Sequence, residues 1–150
     1  VVQQARENEI ETLAGAYRQA QVEAELAPFY KDLPMRIAGA HLVIARAGAS
    51  TVTELAAIGR PSILVPLAIA MDDHQTGNAR ALADAGAAIR INEKEFTAEA
   101  LARALEGLLT APGRLEAMAA AAKNRVKSDA ASALADLVDK IVSENRKAAA

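Results

Sequence analysis

Short runs of apolar residues alternate along the chain with segments of helical periodicity, and this alternation limits the fold more than any other sequence feature. Leu42–Ala45 and Ile63–Val65 are rich in branched aliphatic residues, and turn-forming residues flank both. Such runs are typical of strands buried on both faces of a parallel sheet. Ala87–Ile91 predicts another strand of the same kind. The helices between the strands end at glycines, which favour helix C-termini: Thr51–Ile58 before Gly59, and His74–Ala85 before Gly86.

The first part of the chain repeats this order more weakly. Val1–Gln4 predicts a strand, Glu7–Gln21 a helix and Val22–Leu26 a weak strand. Strands and helices that alternate in this way are typical of α/β domains. The sequence therefore predicts a Rossmann-like, doubly wound parallel sheet.

The last third of the chain predicts helices. Phe96, Thr97 and Leu101 have the spacing of a hydrophobic staple around a helix N-cap. Pro112 and Gly113 break this helix. Two apolar stripes of helical period follow from the spacing: Leu101, Leu105, Leu108 and Leu109 on the first helix, and Leu134, Leu137, Val138, Ile141 and Val142 on a closing helix.

Composition excludes several classes of function. The 150-residue chain has a formal net charge of −2, so no basic excess indicates nucleic acid as a partner. It has no cysteine, which excludes disulfides, thiolate catalysis and cysteine metal sites. The longest apolar run, Ile63–Met71, is much shorter than the about 20 residues that a membrane helix requires. The sequence therefore predicts no transmembrane segment.

A loop of small residues follows the strand Leu42–Ala45 and is the first candidate binding element. It runs from Arg46 through Gly48 to Thr51, and its small side chains allow a ligand to approach the backbone closely. The N-terminus of the next helix offers unpaired N–H groups and a positive dipole end, which suit a phosphate. An ordinary turn between strand and helix is the alternative.

Glu54 admits two interpretations. With Thr51 as the N-cap, its spacing is that of a capping box, in which the glutamate folds back onto the helix backbone. As a carboxylate at the ligand edge of the sheet, it could instead accept hydrogen bonds from a pair of sugar hydroxyls.

A second loop, from Asp72 to Asn78, gathers polar side chains after the strand Ile63–Val65. Its amides supply both donors and acceptors, as recognition of neutral hydroxyls requires. Alternatively, Asp72 or Asp73 caps the helix and the other side chains are solvated. The spacing of the two aspartates and His74 does not indicate a metal site, and no catalytic triad or carboxylate pair stands out.

Phe29 and Tyr30 are half of the aromatic residues of the chain. Core packing is the simpler explanation for both, and contact with a planar base is the alternative.

Four segments together resemble one known family. They are LVIARAGASTVTELAAIGRPSILVP (42–66), DDHQTGNA (72–79), APFY (27–30) and DAGAA (84–88). In combination they are similar to the bacterial peptidoglycan N-acetylglucosaminyltransferases, the MurG family. The resemblance implies the C-terminal, donor-binding domain of a two-domain GT-B enzyme. Such an enzyme transfers GlcNAc from UDP-GlcNAc to lipid I, with inversion at the anomeric carbon, and needs no metal or cofactor.

The resemblance also implies roles for individual residues. Glu54 would hold the ribose hydroxyls, and the backbone at Tyr30, with Phe29 close by, would read the uracil edge. The backbone of Ala49, Ser50 and Thr51 would face the diphosphate. Gln75 and Asn78 would contact the sugar hydroxyls, with His74 beside them. Two positions depart from the family pattern: Ala47 replaces a serine and Gly77 a bulkier residue.

The family's donor domain begins with a strand and a glycine-rich phosphate loop that have no counterpart in this sequence. We therefore expect residues 1–150 to be part of a two-domain enzyme, with Val1–Gln4 and Leu42–Ala45 on either side of an absent first strand. The acceptor domain would supply the general base and the lipid I site, so no catalytic residue is assigned and this chain alone is expected to be inactive. The complete enzyme would be cytoplasmic and peripheral on the inner face of the plasma membrane. Another GT-B enzyme for UDP-sugars, such as an epimerase, and a non-catalytic module are the alternatives.

Overall fold

Parallel strands and helices alternate through the computed structural model, which describes residues 1–67, 73–124 and 138–141. The chain divides into two compact units, Val1–Gly39 and Ala40–Ala150. Within the described residues, no helix has the length and apolar character needed to cross a membrane.

The first unit contains two strands and two helices. They are β1 (Val2–Gln4), α1 (Ile10–Gln19), β2 (Glu25–Ala27) and α2 (Leu33–Gly39). Strands β1 and β2 pair in parallel, with Gln3 opposite Leu26. The residue pattern does not predict α2, which has Pro34 in its first turn, where a missing N–H costs no helical hydrogen bond.

The predicted end of the first helix and the predicted start of the second strand are both wrong, because of how α1 ends. Gln21 has a left-handed backbone (φ 57°), and the N–H of Val22 bonds to the carbonyl of Tyr17 at 2.9 Å. This is the hydrogen-bond pattern that closes a helix around a left-handed residue, usually a glycine. The predicted helix Glu7–Gln21 therefore ends two residues early, and a separate 3-10 turn forms its first three residues. Because Val22 belongs to this closure, the strand predicted at Val22–Leu26 begins only at Glu25.

The second unit contains a three-stranded parallel sheet in the order β3-β4-β5. Ile44 lies opposite Ile63, and Ile63 opposite Ile89. The strands and helices of this unit are β3 (Val43–Ala45), α3 (Ala49–Ile58), β4 (Ser62–Leu64), α4 (His74–Asp84), β5 (Ala88–Arg90), α5 (Ala98–Leu109) and α6 (Arg114–Lys123). The central strand β4 is buried along its whole length, as its apolar sequence predicts.

Helices α5 and α6 cover the core. Ile63, Leu108 and Met118 are its buried centre, and Leu101 and Leu105 pack against them. The Thr97 hydroxyl accepts a hydrogen bond from the backbone N–H of Ala100 at 3.1 Å, which confirms the predicted N-cap.

One residue of the first predicted stripe is exposed, and part of the second predicted stripe lies outside the described residues. Leu109 is 66 % exposed, so it does not belong to the buried stripe of α5. Adjacent helical residues lie about 100° apart around the axis, which places Leu109 at the margin of the stripe that contains Leu108. Of the predicted closing stripe, Leu134, Leu137 and Val142 lie outside the described residues. Val138 and Ile141 lie in a short helical stretch and are about half exposed.

Strands β1 and β3 each have one hydrogen-bonded neighbour within the described residues, β2 and β4 respectively.

Candidate functional site

The carboxyl ends of β3, β4 and β5 form one edge of the three-stranded sheet. Open parallel α/β sheets bind their ligands at this edge. Both loops predicted as binding elements leave from it: the first joins β3 to α3, and the second joins β4 to α4.

The N-terminus of α3 has no side-chain cap. Gly48 is the N-cap residue, with an extended backbone (φ −60°, ψ 149°), and it has no side chain to accept a hydrogen bond. Its carbonyl accepts the first helical bond, from the N–H of Val52 at 3.0 Å. Ala49 and Ser50 are exposed and Thr51 is partly buried. The N–H groups of these three residues have no acceptor within the helix, so they are available to an anion.

The capping-box interpretation of Thr51 and Glu54 is wrong. Helix α3 begins at Ala49, two residues before the predicted start, which makes Thr51 the third helical residue rather than the N-cap. The helix starts early because the extended backbone at Gly48 already opens it. Glu54 lies in the second turn and is partly buried. Its carboxylate has no hydrogen-bond or ion-pair partner among the residues that the structure describes.

Helix α4 also begins without a side-chain cap. Its N-cap residue, Asp73, has a left-handed backbone (φ 52°, ψ 25°) and accepts no capping hydrogen bond. Side-chain caps normally require an extended backbone at this position. The prediction that Asp73 caps the helix is therefore wrong, and Asp72 lies outside the described residues. His74, the first residue of the helix, is exposed.

Gln75 and Asn78 both form hydrogen bonds with the protein backbone. The Gln75 Oε1 accepts from the N–H of Leu67 at 3.0 Å, and the Asn78 Nδ2 donates to the carbonyl of Ala47 at 3.1 Å. Because a backbone N–H can only donate and a carbonyl can only accept, these bonds fix the orientation of both amides. Among the described residues, Gln75 retains its NH₂ donors and Asn78 retains its Oδ1 acceptor.

An ion pair at the same edge was not predicted. The Arg46 Nη2 lies 2.7 Å from the Glu93 Oε1, and its Nη1 donates to the carbonyl of Val65 at 3.4 Å. Arg46 follows β3, Val65 follows β4, and Glu93 lies after β5. The guanidinium group therefore links all three strand ends. A charged side chain in a loop of small residues is the only sequence signal for it.

Phe29 and Tyr30, in the first unit, lie in different environments. Tyr30 is buried, and its hydroxyl donates to the carbonyl of Glu25 at 3.0 Å, with the Gln3 carbonyl at 3.4 Å. Burial raises the pKa of Tyr30, and the Glu25 carboxylate raises it further. Phe29 is 69 % exposed. Core packing therefore accounts for the Tyr30 side chain but is wrong for Phe29, whose ring faces solvent.

Arg36 organises the charged groups around Tyr30. Its guanidinium lies 4.2 Å from the centre of the Tyr30 ring and pairs with Glu25 and Asp32, each at 2.8 Å. The hydrogen bond from Arg36 holds the pKa of Asp32 below its ordinary value. The cluster fixes the chain next to Phe29.

Metal ligands are not grouped in the part of the chain that the structure describes: it has no cluster of three or more His, Asp or Glu side chains able to hold a metal ion.

One protein family matches most of the chain. Residues 1–139 match the model of the glycosyltransferase family 28 C-terminal domain. The UDP-N-acetylglucosamine–N-acetylmuramyl-(pentapeptide) pyrophosphoryl-undecaprenol N-acetylglucosamine transferase of Caulobacter vibrioides is 54 % identical over 140 residues, which cover 93 % of this chain and 39 % of the relative. The enzyme of the same name from Phenylobacterium zucineum is also 54 % identical, over 93 % of this chain and 38 % of its own length.

A solved structure gives the same result. The crystal structure of MurG from Acinetobacter baumannii superposes with a TM-score of 0.82 and 35 % sequence identity, over 93 % of this chain and 42 % of that one. The match confirms the predicted Rossmann-like α/β fold. The chain spans about two fifths of the length of the curated relatives that it matches. It belongs to glycosyltransferase family 28, whose C-terminal domain its residues 1–139 form.

Proposed function

We propose that this chain binds the donor UDP-GlcNAc within an enzyme that transfers GlcNAc to undecaprenyl-pyrophosphoryl-MurNAc-pentapeptide, which is lipid I. The product is lipid II, a precursor of peptidoglycan and hence of cell-wall growth, cell shape and division. The names of the relatives and the family of the chain support this activity.

The N-terminus of α3 and the nearby Glu54 carry the proposal. Its N-terminus is uncapped at the ligand edge of the sheet, and Glu54 in its second turn is a partly buried residue whose carboxylate has no partner among the described residues. A carboxylate without a protein partner can accept hydrogen bonds from a ligand. A nucleoside diphosphate matches both features, with the phosphates at the N–H groups of Ala49, Ser50 and Thr51 and the ribose hydroxyls at Glu54.

Other residues are assigned to the sugar and to the base. His74, Gln75 and Asn78 select the sugar, since the free donors of Gln75 and the free acceptor of Asn78 suit neutral hydroxyls. The backbone at Tyr30 reads the uracil edge, and the exposed ring of Phe29 is available to the base.

The chain contributes to one part of the reaction. Inverting transfer requires a base for the acceptor hydroxyl and stabilisation of the UDP leaving group. The N–H groups at the N-terminus of α3 stabilise the negative charge that develops on the diphosphate as the glycosidic bond breaks. Another domain of the complete enzyme supplies the base and the lipid I site, and it brings the enzyme to the cytoplasmic face of the plasma membrane.

Substitution of Glu54 tests the donor site. In the complete enzyme, Glu54→Gln is expected to weaken UDP binding by about 1.5–3 kcal/mol, the range for a hydrogen bond to a charged group. Calorimetric titration with UDP measures the change, and thermal unfolding shows whether stability falls as well. Glu116→Gln makes the same change of charge at an exposed position of α6 and is the matched control.

The outcomes separate the alternatives. Unchanged UDP affinity in Glu54→Gln, or loss of stability alone, contradicts the proposed site. If the complete enzyme isomerises UDP-GlcNAc and transfers nothing to lipid I, it is an epimerase. If it binds no UDP at all, the domain is a non-catalytic module.

A further inference from the structure

The Asn78 side chain connects helix α4 to the first loop of the candidate site. Its Nδ2 donates to the carbonyl of Ala47, which is 31 residues away in sequence, at 3.1 Å. Ala47 is completely buried, so its carbonyl has no access to water as a replacement partner. Loss of this bond would leave a buried acceptor unsatisfied, which is costly.

This bond also determines the direction of the peptide between Ala47 and Gly48. In a trans peptide the carbonyl and the N–H lie in one plane and point in opposite directions. A carbonyl held by Asn78 therefore fixes the N–H of Gly48. The carbonyl of Gly48 is held in turn by the N–H of Val52 at 3.0 Å. Gly48 is thus fixed on both sides, immediately before the uncapped N–H groups of α3.

The other amide of α4 bonds to a different segment. Gln75, one turn before Asn78, accepts the N–H of Leu67 at 3.0 Å, in the chain that leaves β4. The two amides therefore have different backbone partners, and of the two only Asn78 bonds to the loop before α3.

We propose that Asn78 is a positioning residue for the diphosphate-binding loop, in addition to any contact with the sugar. The inference rests on the proposed function, because it assumes that this loop binds the phosphates of UDP. It differs from a sugar contact in its consequence: UDP, which has no sugar beyond its ribose, should also depend on Asn78.

The experiment uses the complete enzyme with Asn78→Ala and Asn78→Leu, the second of which fills a similar volume without hydrogen-bonding groups. Calorimetric titration with UDP and with UDP-GlcNAc gives the two affinities. We expect both variants to lose roughly five- to tenfold in affinity for UDP, the effect of one buried hydrogen bond, and at least as much for UDP-GlcNAc. Asp84→Asn, exposed at the end of the same helix, is the control and should keep both affinities.

Hydrogen exchange without ligand provides a second measurement. Peptides that cover residues 46–52 should exchange several times faster in both Asn78 variants than in the wild type and in Asp84→Asn, while peptides from α5 stay unchanged. A loss of affinity for UDP-GlcNAc alone, with unchanged UDP affinity, would overturn the proposal and leave Asn78 as a sugar ligand. Unchanged exchange in residues 46–52 would overturn it as well. If wild-type enzyme binds no UDP, the proposed function fails, and the exchange measurement still decides whether Asn78 holds the loop.

Discussion

Individual polar side chains of the candidate site use one hydrogen-bonding group for the protein backbone and keep others unused among the described residues. Gln75 uses its oxygen for the N–H of Leu67 and keeps two N–H donors, whereas Asn78 uses one N–H for Ala47 and keeps its oxygen. Neighbouring donors and acceptors of this kind suit sugar hydroxyls, which both donate and accept. The protein bonds hold the amides in place, so a ligand does not have to order them.

Gln75 should select the sugar and leave the nucleotide unaffected. In the complete enzyme, Gln75→Ala is expected to weaken UDP-GlcNAc by about 1 kcal/mol through loss of its donors, with UDP affinity nearly unchanged. Competition titrations with the two ligands measure the difference. Gln75→Glu keeps the acceptor for Leu67 but loses the donors, so it should show the same selectivity. Equal losses for UDP and UDP-GlcNAc in both variants would contradict the assignment.

Asp32 should make stability depend on pH. Its pKa in the folded state is lowered, chiefly by the hydrogen bond from Arg36. A lowered folded pKa gives stability that is present above the unfolded pKa and is lost as the pH falls through the folded pKa. Asp32→Asn should therefore lower the unfolding temperature at pH 7, and the difference from wild type should shrink on acidification below about pH 4. A difference that stays constant from pH 7 to pH 3 would show that the carboxylate charge is not responsible.

At the scale of the elements, the type of residue at a helix end determines whether the sequence predicts that boundary. Helices α3 and α4 end at Gly59 and Gly86, which both have a left-handed backbone with φ 76°. Because glycine favours this conformation, it predicts the end of a helix. Helix α1 closes in the same way around Gln21, and its end was misplaced because glutamine carries no such signal. The early start of α3 was missed for a related reason. A glycine N-cap is a weaker signal than the threonine three residues later.

The two loops of the site were predictable, but their connections were not. Small and polar residues after strands 42–45 and 63–65 indicate a ligand edge from local sequence alone. The bond between Asn78 and Ala47 and the pair of Arg46 with Glu93 join positions that only the tertiary fold brings together. No local periodicity encodes such a contact.

Gly59 should tolerate substitution less well than Gly86. A Cβ at either position is strained by the left-handed backbone, at a cost of about 1–2 kcal/mol. A Cβ at Gly59 would also overlap the aliphatic side chain of Lys123 on α6, whereas nothing lies within 4 Å at Gly86. Gly59→Ala should therefore destabilise the protein more than Gly86→Ala in denaturant unfolding. Adding Lys123→Ala should remove the additional loss of stability in Gly59→Ala. If that additional loss persists, the contact with Lys123 is not its cause.

On the scale of the whole molecule, each unit contains a parallel sheet whose two edge strands have a single hydrogen-bonded neighbour among the described residues. Strand β1 pairs only with β2, and β3 only with β4, among the described residues. Unpaired backbone groups along a strand are costly when buried and promote association when exposed. We propose that a further strand and a phosphate loop of the complete enzyme cover such edges.

The 150-residue chain on its own should therefore be marginally stable or prone to aggregation. Size-exclusion chromatography and thermal unfolding of this chain, beside the complete enzyme, measure the difference. We expect higher-order species and a lower, less cooperative transition for the chain alone. A monomer with a cooperative transition and the UDP-GlcNAc affinity of the complete enzyme would contradict both the strand arrangement and the need for the additional loop.

The distribution of tyrosines makes the first unit optically distinct. The chain has no tryptophan and two tyrosines, and both lie in unit Val1–Gly39: Tyr17, which donates to Gln3 at 2.7 Å, and Tyr30, beneath Arg36. Intrinsic fluorescence of this chain therefore reports on the first unit alone, whereas far-ultraviolet circular dichroism is dominated by the more numerous helices of the second. Melting curves recorded with the two signals follow different parts of the same molecule. Their separation or coincidence measures how tightly the two units of the chain are coupled in unfolding.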